Sequence, residues 1–174
     1  AYAALQIGNV TDGVRIADNE FNKIWALDTI RVEDTSATDV VIENNEIFNL
    51  TASVPRAAVR TAAPGAGNFV RNNDLQQDIS GTDASLPADV DNHWAVYNTA
   101  NAADKDSVVG WSVTRNTIDG FGGKKRPEAP IVHNAIGKLD VTANTFGVNT
   151  RGGISTDVEH SAYWFFWNVW DSRS

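Results

Sequence analysis

The sequence predicts an all-β chain wound as a right-handed parallel β-helix, a solenoid of about six coils within one domain of 174 residues. Two observations predict it: a short apolar phrase ending in asparagine that recurs along the chain, and a second apolar phrase that follows each asparagine. Self-similarity at a period of about 20–50 residues marks a stacked architecture, because each repeat buries its apolar face only against its neighbours.

The first phrase reads apolar, any, apolar, two polar or small residues, Asn, any, apolar. It runs Val14-Arg15-Ile16-Ala17-Asp18-Asn19-Glu20-Phe21 and returns as Val40-Val41-Ile42-Glu43-Asn44-Asn45-Glu46-Ile47. A looser copy is Phe69-Val70-Arg71-Asn72-Asn73-Asp74-Leu75. Two more are Trp111-Ser112-Val113-Thr114-Arg115-Asn116-Thr117-Ile118 and Leu139-Asp140-Val141-Thr142-Ala143-Asn144-Thr145-Phe146. A degenerate copy, Phe165-Phe166-Trp167-Asn168-Val169-Trp170, lies near the C-terminus. The marker asparagines Asn19, Asn45, Asn73, Asn116, Asn144 and Asn168 stand 26, 28, 43, 28 and 24 residues apart. Four of these spacings fit one coil, and the 43 fits a coil carrying a long inserted loop.

Alternating apolar positions mean a strand with one buried face. A helix is excluded because the phrase is short, rich in β-branched residues and punctuated by Gly, Pro, Asn and Asp. The coil must turn sharply at its asparagine without orphaning backbone groups. Asn tolerates the left-handed conformation and bonds local backbone with its side chain. Stacked coil on coil, the amides can also bond one another.

The second phrase reads Trp25-Ala26-Leu27-Asp28-Thr29, Ala57-Ala58-Val59-Arg60-Thr61, Trp94-Ala95-Val96-Tyr97-Asn98, Pro130-Ile131-Val132-His133-Asn134 and Gly152-Gly153-Ile154-Ser155-Thr156. Aligned this way, Leu27, Val59, Val96, Val132 and Ile154 form an inward stack. The outward column is then Asp28, Arg60, Tyr97, His133 and Ser155, since neighbours along a strand face opposite sides. Thr29, Thr61, Asn98, Asn134 and Thr156 would make a polar ladder at a second corner.

On these repeats, over nearly its whole length, the chain resembles right-handed parallel β-helix proteins of the pectate-lyase-like superfamily. The resemblance is at the level of the repeat and singles out no one family. It implies a saccharide-binding groove along the second-phrase strand and the loops beside it.

An outward column of carboxylate, guanidinium, phenol, imidazole and hydroxyl departs from the repeating Thr, Ser or Asn of a purely structural face, although any exposed face carries polar residues. Two long loops flank it, at about 76–92 with Asp78, Asp83, Asp89 and Asp91, and at about 119–128 with Lys124, Lys125 and Arg126. Loops of such length inside a compact domain are usually either functional or disordered. Folded over the column, they would give a groove with one acidic and one basic wall.

Three chemistries fit. A polysaccharide lyase needs a base beside a uronate and cationic charge for the resulting anion, for which Arg60 or a lysine with His133 would serve. A glycoside hydrolase needs two carboxylates flanking the bond; Asp28, Asp89 and Asp91 are the candidates, but none pairs on adjacent coils. A binding module needs only aromatic platforms and hydrogen bonds, which Trp94, Tyr97, Ser155 and Arg60 offer.

Composition narrows the partners. A net charge of -8, with the single basic cluster Lys124-Lys125-Arg126, argues against nucleic acid. No apolar run approaches the 18 or more residues of a membrane span, so a membrane partner is not expected. With no cysteine there is neither a disulfide nor a cysteine-bound zinc. His93, His133 and His160 lack zinc-ligand spacing. Asp89-Val90-Asp91 and Glu33-Asp34 supply oxygen ligands of the kind Ca2+ takes, although solvated loop carboxylates are the plainer reading. No nucleophile elbow, phosphate loop or dinucleotide fingerprint occurs.

The run Tyr163-Trp164-Phe165-Phe166-Trp167, with Trp170, is apolar on both faces of its strand. It implies burial against a further coil, a loop or a second subunit. The chain starts at Ala1 without Met and carries no cap at either end, which reads as a processed product or a segment of a longer β-helix. The expected role is a secreted or cell-surface domain that binds or processes polysaccharide. The alternative is a structural or adhesive solenoid, or a subunit of a larger assembly.

Overall fold

The computed structural model describes residues 3–8, 13–33, 39–49, 56–61, 67–78, 93–98, 110–121, 130–133, 138–150, 154–156, 162–166 and 168–170; within these, the side chains of 56, 93, 132, 133, 138, 139, 154–156 and 162–166 are not described. The described chain runs β1 (Ala3–Ile7), β2 (Arg15–Ala17), β3 (Glu20–Ile24), β4 (Asp28–Val32), β5 (Val41–Glu43), β6 (Glu46–Asn49), β7 (Arg56–Thr61), β8 (Asn68–Arg71) and β9 (Asp74–Gln77). It continues β10 (His93–Asn98), β11 (Gly110–Thr114), β12 (Thr117–Asp119), β13 (Ile131–His133), β14 (Lys138–Thr142), β15 (Thr145–Phe146), β16 (Ile154–Thr156), β17 (Ala162–Phe166) and β18 (Val169–Trp170).

These strands form three parallel six-stranded sheets: sheet A, β1-β4-β7-β10-β13-β16; sheet B, β2-β5-β8-β11-β14-β17; and sheet C, β3-β6-β9-β12-β15-β18. Each strand pairs with the strand three places later, so the chain visits A, B and C in turn. The fold is an all-β parallel solenoid, with no helix among the described residues.

The core fills the interior with one apolar column per sheet. Sheet A contributes Ile30, Val59, Val96 and Ile131, sheet B Ile42, Val70, Val113 and Val141, and sheet C Ile47, Leu75, Ile118 and Phe146, all buried. Burying each such side chain contributes about 1.5–3 kcal/mol. The columns explain why the Asn phrase needs apolar residues on both sides of its turn: one lies in sheet B, the other in sheet C.

The turn between B and C is held by an uninterrupted amide ladder. The Nδ2 of Asn19, Asn45, Asn73, Asn116 and Asn144 donates to Oδ1 of the next marker, ending at Asn168, at 3.0 Å in every step. The same Oδ1 atoms accept the backbone N–H of the preceding marker at 2.9–3.1 Å. The second Nδ2 hydrogen goes to a strand carbonyl, as from Asn73 to Ile42 and from Asn116 to Val70. Buried amides are tolerated only when satisfied in this way.

The left-handed conformation falls on the residue before the marker. Asp18, Asn44, Asn72, Arg115 and Ala143 have φ of 54–60°, and each immediately precedes a marker. The reversal is thus absorbed by a residue whose side chain is not in the ladder, leaving the marker amide aimed along the stack. The expected long loops lie mostly outside the described residues, at 79–92 and 122–128; at their described starts, Gln76 and Gln77 pair with Phe48 and Asn49, and Phe121 is buried. Asp119 accepts the N–H and Nδ2 of Asn149, both at 3.0 Å.

Candidate functional site

Sheet A carries the second phrase, but in a different register from the one that sequence alignment suggests. Ile30, not Leu27, aligns with Val59 and Val96, and Ile131, not Val132, continues that column to Ile154. The register of Arg60 and Tyr97 is therefore shared by Arg31, Val132 and Ser155. His133 pairs instead with Asn98 and Thr156, in the register of Val32 and Thr61. The expected column of Asp28, Arg60, Tyr97, His133 and Ser155 thus keeps three members in one register. The polar ladder has Val32 where Thr29 was expected and His133 where Asn134 was. A one-residue shift in a strand exchanges its two faces.

Strand β10 breaks the period-two alternation in the manner of a β-bulge. The N–H groups of Ala95 and Val96 both donate to the carbonyl of Pro130, at 2.8 and 3.1 Å, and both side chains are buried. Two successive inward residues bring Trp94 and Tyr97, three positions apart, onto one surface, where their rings stack with centroids 4.4 Å apart and planes 13° from parallel. Strands β7 and β4 repeat the burial pattern, with Ala58-Val59 and Thr29-Ile30 all buried. Thr29 bonds Asn49 of sheet C across the interior, with Oγ1 donating to Oδ1 at 2.5 Å.

Asp28 aligns with Ala57 and Trp94 and is fully buried. Its Oδ1 accepts Arg60 Nε at 2.9 Å, and its Oδ2 lies 3.5 Å from a terminal nitrogen of Arg31. Arg31 also binds Glu33 at 2.6 Å, and Glu33 accepts the amide of Gln6. On its other side the Arg60 guanidinium sits 4.9 Å from the Tyr97 ring centroid and 5.8 Å from that of Trp94. The small Ala57 between Asp28 and Trp94 leaves the space this requires. One continuous string of contacts, Gln6, Glu33, Arg31, Asp28, Arg60 and the Trp94–Tyr97 pair, therefore crosses β1, β4, β7 and β10.

The electrostatics follow from burial. Desolvation pushes the Asp28 carboxyl above the ordinary aspartate value; the Arg60 hydrogen bond, the Arg60 and Arg31 charges and the Ala57 amide oppose the rise without cancelling it. A separate cluster on sheet B shows the reverse: Glu43 accepts Arg71 Nε and Arg15 Nε, each at 2.7 Å. Those bonds, Arg71's first, hold its carboxyl below the ordinary range.

Of the sequence-derived candidates, Asp28, Arg60, Trp94 and Tyr97 come together in one cluster. His133 and Ser155 are placed by register alone. Asp89, Asp91, Lys124 and Arg126 lie outside the described residues, as does Asp34, the neighbour of Glu33 in the Ca2+ expectation. No group of three or more metal-ligating side chains occurs among the described residues. Sequence reasoning missed Arg31, the pairing of Glu33 with it, and the burial of Asp28. The signal was available: Ile30-Arg31-Val32 matches Val59-Arg60-Thr61 better than Leu27-Asp28-Thr29 does, but the bulge breaks the alternation that fixes the alignment. No protein-family model, curated protein or solved structure matches the chain.

Chemically, the cluster offers a half-buried, stacked aromatic pair with a cation fixed beside it by Asp28. Both described carboxylates in the string, Asp28 and Glu33, are engaged by arginine. Such a surface can stack on a planar or pyranose face and donate hydrogen bonds to its hydroxyls or carboxylates.

Proposed function

We propose that the outer face of sheet A is a saccharide-binding surface, on a right-handed β-helix of six coils that acts outside the cell or at its surface. Three sheets of six strands, one strand per coil in each, support the coil count. The observation that carries the functional reading is the stacked Trp94–Tyr97 pair with Arg60 held against it by Asp28. Aromatic rings pack on the apolar face of a sugar, and a fixed guanidinium reads its oxygens. Binding is favoured over catalysis because the carboxylates are already paired with arginine, leaving neither as a ready base.

The test is calorimetric titration with a panel of neutral and uronate oligosaccharides, run beside assays for unsaturated products and new reducing ends. Covering about 60 Å² of apolar sugar face at ~25 cal/mol per Å² contributes about 1.5 kcal/mol. Trp94→Ala and Tyr97→Ala should therefore each weaken binding roughly tenfold. Absence of binding across the panel, or affinity unchanged in both variants, removes the proposal. Product release that is lost in His133→Ala would replace it with an enzymatic reading.

A second reading, a structural or adhesive solenoid, is favoured by the same ion pairs: Arg31 and Arg60 both spend their charge within the protein. Under that reading Trp94→Ala lowers stability and touches no glycan affinity.

A further inference from the structure

A single exposed apolar side chain needs no explanation by itself. Trp25, 74% exposed, differs because an irregularity of the backbone is what turns it out. In β3, Glu20, Phe21 and Asn22 pair with Glu46, Ile47 and Phe48, and Ile24 then pairs with Asn49. Lys23 is the extra residue, and its φ of 56° is a left-handed conformation disfavoured for any residue with a Cβ. Simple alternation from the inward Phe21 would turn Trp25 inward as well. The inserted Lys23 instead puts Ile24 in the register of the buried Asn49 and leaves Trp25 facing solvent. Bulges re-aim side chains in this way, and strain of this kind collects at functional positions.

Strand β10 reaches the same result by another route. Its two successive inward residues, Ala95 and Val96, leave Trp94 on the outer face. Both tryptophans lie where the chain enters sheet A from sheet C, Trp25 just ahead of β4 and Trp94 near the start of β10. Asp28, three residues after Trp25, aligns through Ala57 with Trp94, so the two stand two coils apart. Two steps of about 4.8 Å between strands, and at most three extended residues of ~3.4 Å, put their backbones roughly 10–14 Å apart. That is further than one sugar ring reaches and within reach of a short oligosaccharide.

We infer that Trp25 is a second contact for the same glycan, so that the site takes a chain of several sugar units lying along the solenoid axis. The inference rests on the saccharide-binding reading and adds to it the length and direction of the ligand. Arg60 stands between the two contacts, on β7, the strand that separates β4 from β10. Its Nε is bonded to Asp28, and its two terminal nitrogens have no hydrogen-bond partner among the described residues. They are therefore open to the oxygens of a sugar that bridges the tryptophans.

Calorimetric titration with cello-oligosaccharides and alginate-derived uronate oligosaccharides, each of two to six units, tests this. Covering a further 60 Å² or so of apolar sugar face corresponds to about tenfold in affinity. Wild-type affinity should therefore rise about tenfold from the shortest to the longer members of the series that binds. Trp25→Ala should abolish that rise and leave the disaccharide affinity unchanged, whereas Trp94→Ala should weaken every length. Because Trp25 is exposed, its replacement should leave the urea midpoint where it is. Hydroxyl-radical footprinting read by mass spectrometry should show Trp25 protected by the hexasaccharide and not by the disaccharide. A length dependence that survives Trp25→Ala, with Trp94→Ala weakening all lengths, overturns this inference and leaves the saccharide reading standing. Absence of binding in both series removes that reading and this inference with it. Protection of Trp25 that grows with protein concentration in the absence of sugar would assign it to a contact between copies and equally overturn the inference.

Discussion

Replacing Asn116 by alanine tests whether the ladder holds the coils together. Its side chain is 1% exposed and makes four bonds: Oδ1 accepts the N–H and Nδ2 of Asn73 at 2.9 and 3.0 Å, and Nδ2 donates to Val70 O at 2.9 Å and Asn144 Oδ1 at 3.0 Å. Asn73 Nδ2 keeps Ile42 and Asn144 Oδ1 keeps the Asn116 N–H, but the buried Asn73 N–H loses its acceptor. At roughly 1 kcal/mol per lost bond, with more for an orphaned buried group, Asn116→Ala should cost about 4 kcal/mol. Asn19→Ala removes only the donations to Ala17 and Asn45 from an exposed end and should cost about 1 kcal/mol. In urea, with m about 2 kcal/mol per M, the midpoints should fall by about 2 M and 0.5 M. Circular dichroism and tryptophan fluorescence give the midpoints. Because a solenoid can lose end repeats before central ones, exchange at the Asn73 amide gives the local value. Equal costs for the two variants, within about 0.5 kcal/mol, would refute the ladder as the source of inter-coil stability.

Ala143 holds a φ of 57°, a conformation that costs a residue with a Cβ about 1–2 kcal/mol. Ala143→Gly should therefore raise the urea-derived stability by about 0.5–1 kcal/mol after the entropy glycine adds to the unfolded chain. Gly147→Ala should act in the opposite direction, because its Cβ would lie 2.5 Å from Cγ and 2.8 Å from Cβ of Asp119. Relief requires Asp119 to leave Asn149, a loss of about 1–3 kcal/mol readable by the same titration. The two shifted carboxyls give opposite pH dependences. Asp28 is raised, so its contribution is fully present below the ordinary aspartate value and is lost as pH rises through its folded value. Glu43 is lowered, so its contribution is present above the ordinary glutamate value and is lost as pH falls through its folded value. Asp28→Asn removes the compensating gain in acid, and its stability should fall more steeply than wild type between pH 6 and 3 in thermal melts, about the interval over which carboxyls titrate. Parallel profiles would discount the burial of Asp28.

The solenoid was legible because its period is set by a turn that tolerates little variation. Six asparagines at corresponding positions identify the ladder before any coordinate is known, and every one of them lies in it. The conformation inside the turn was not legible. Asp18, Asn44, Asn72, Arg115 and Ala143 share a positive φ without sharing a residue type, since at a solvent-facing corner the backbone is forced by what flanks it. The candidate site was half legible. Arg60 and Tyr97 share one outward column in the sequence, with Trp94 grouped beside them only as an aromatic platform, but the doubled bonds of Ala95 and Val96 to Pro130 break the period-two pattern on which in-and-out assignments depend. Arg31 was consequently overlooked, and His133 was assigned the register that Val132 occupies.

The two faces of sheet A differ for a physical reason that bears on function. Inside, each coil must match its neighbours in volume, so Ile30, Val59, Val96 and Ile131 are near-equivalent aliphatics. The bulge serves that interior by letting two successive residues turn inward, and its by-product is an outer surface where residues three apart meet. Coil closure asks nothing of that surface, yet Arg60 and the Trp94–Tyr97 stack occupy it, and with the buried Asp28 bonded to Arg60 they make an ion pair and ring contacts across three consecutive strands of the sheet. Removing a buried ion pair's partner is costly, whereas replacing the whole pair by apolar residues often is not. The stability of the fold therefore does not require Asp28 and Arg60 as such. Replacing both together, Asp28→Leu with Arg60→Met, should leave stability near wild type while removing the fixed cation beside the rings. Glycan affinity that survives this double replacement would leave the aromatic pair as the binding element, and affinity that is lost would assign the recognition to Arg60.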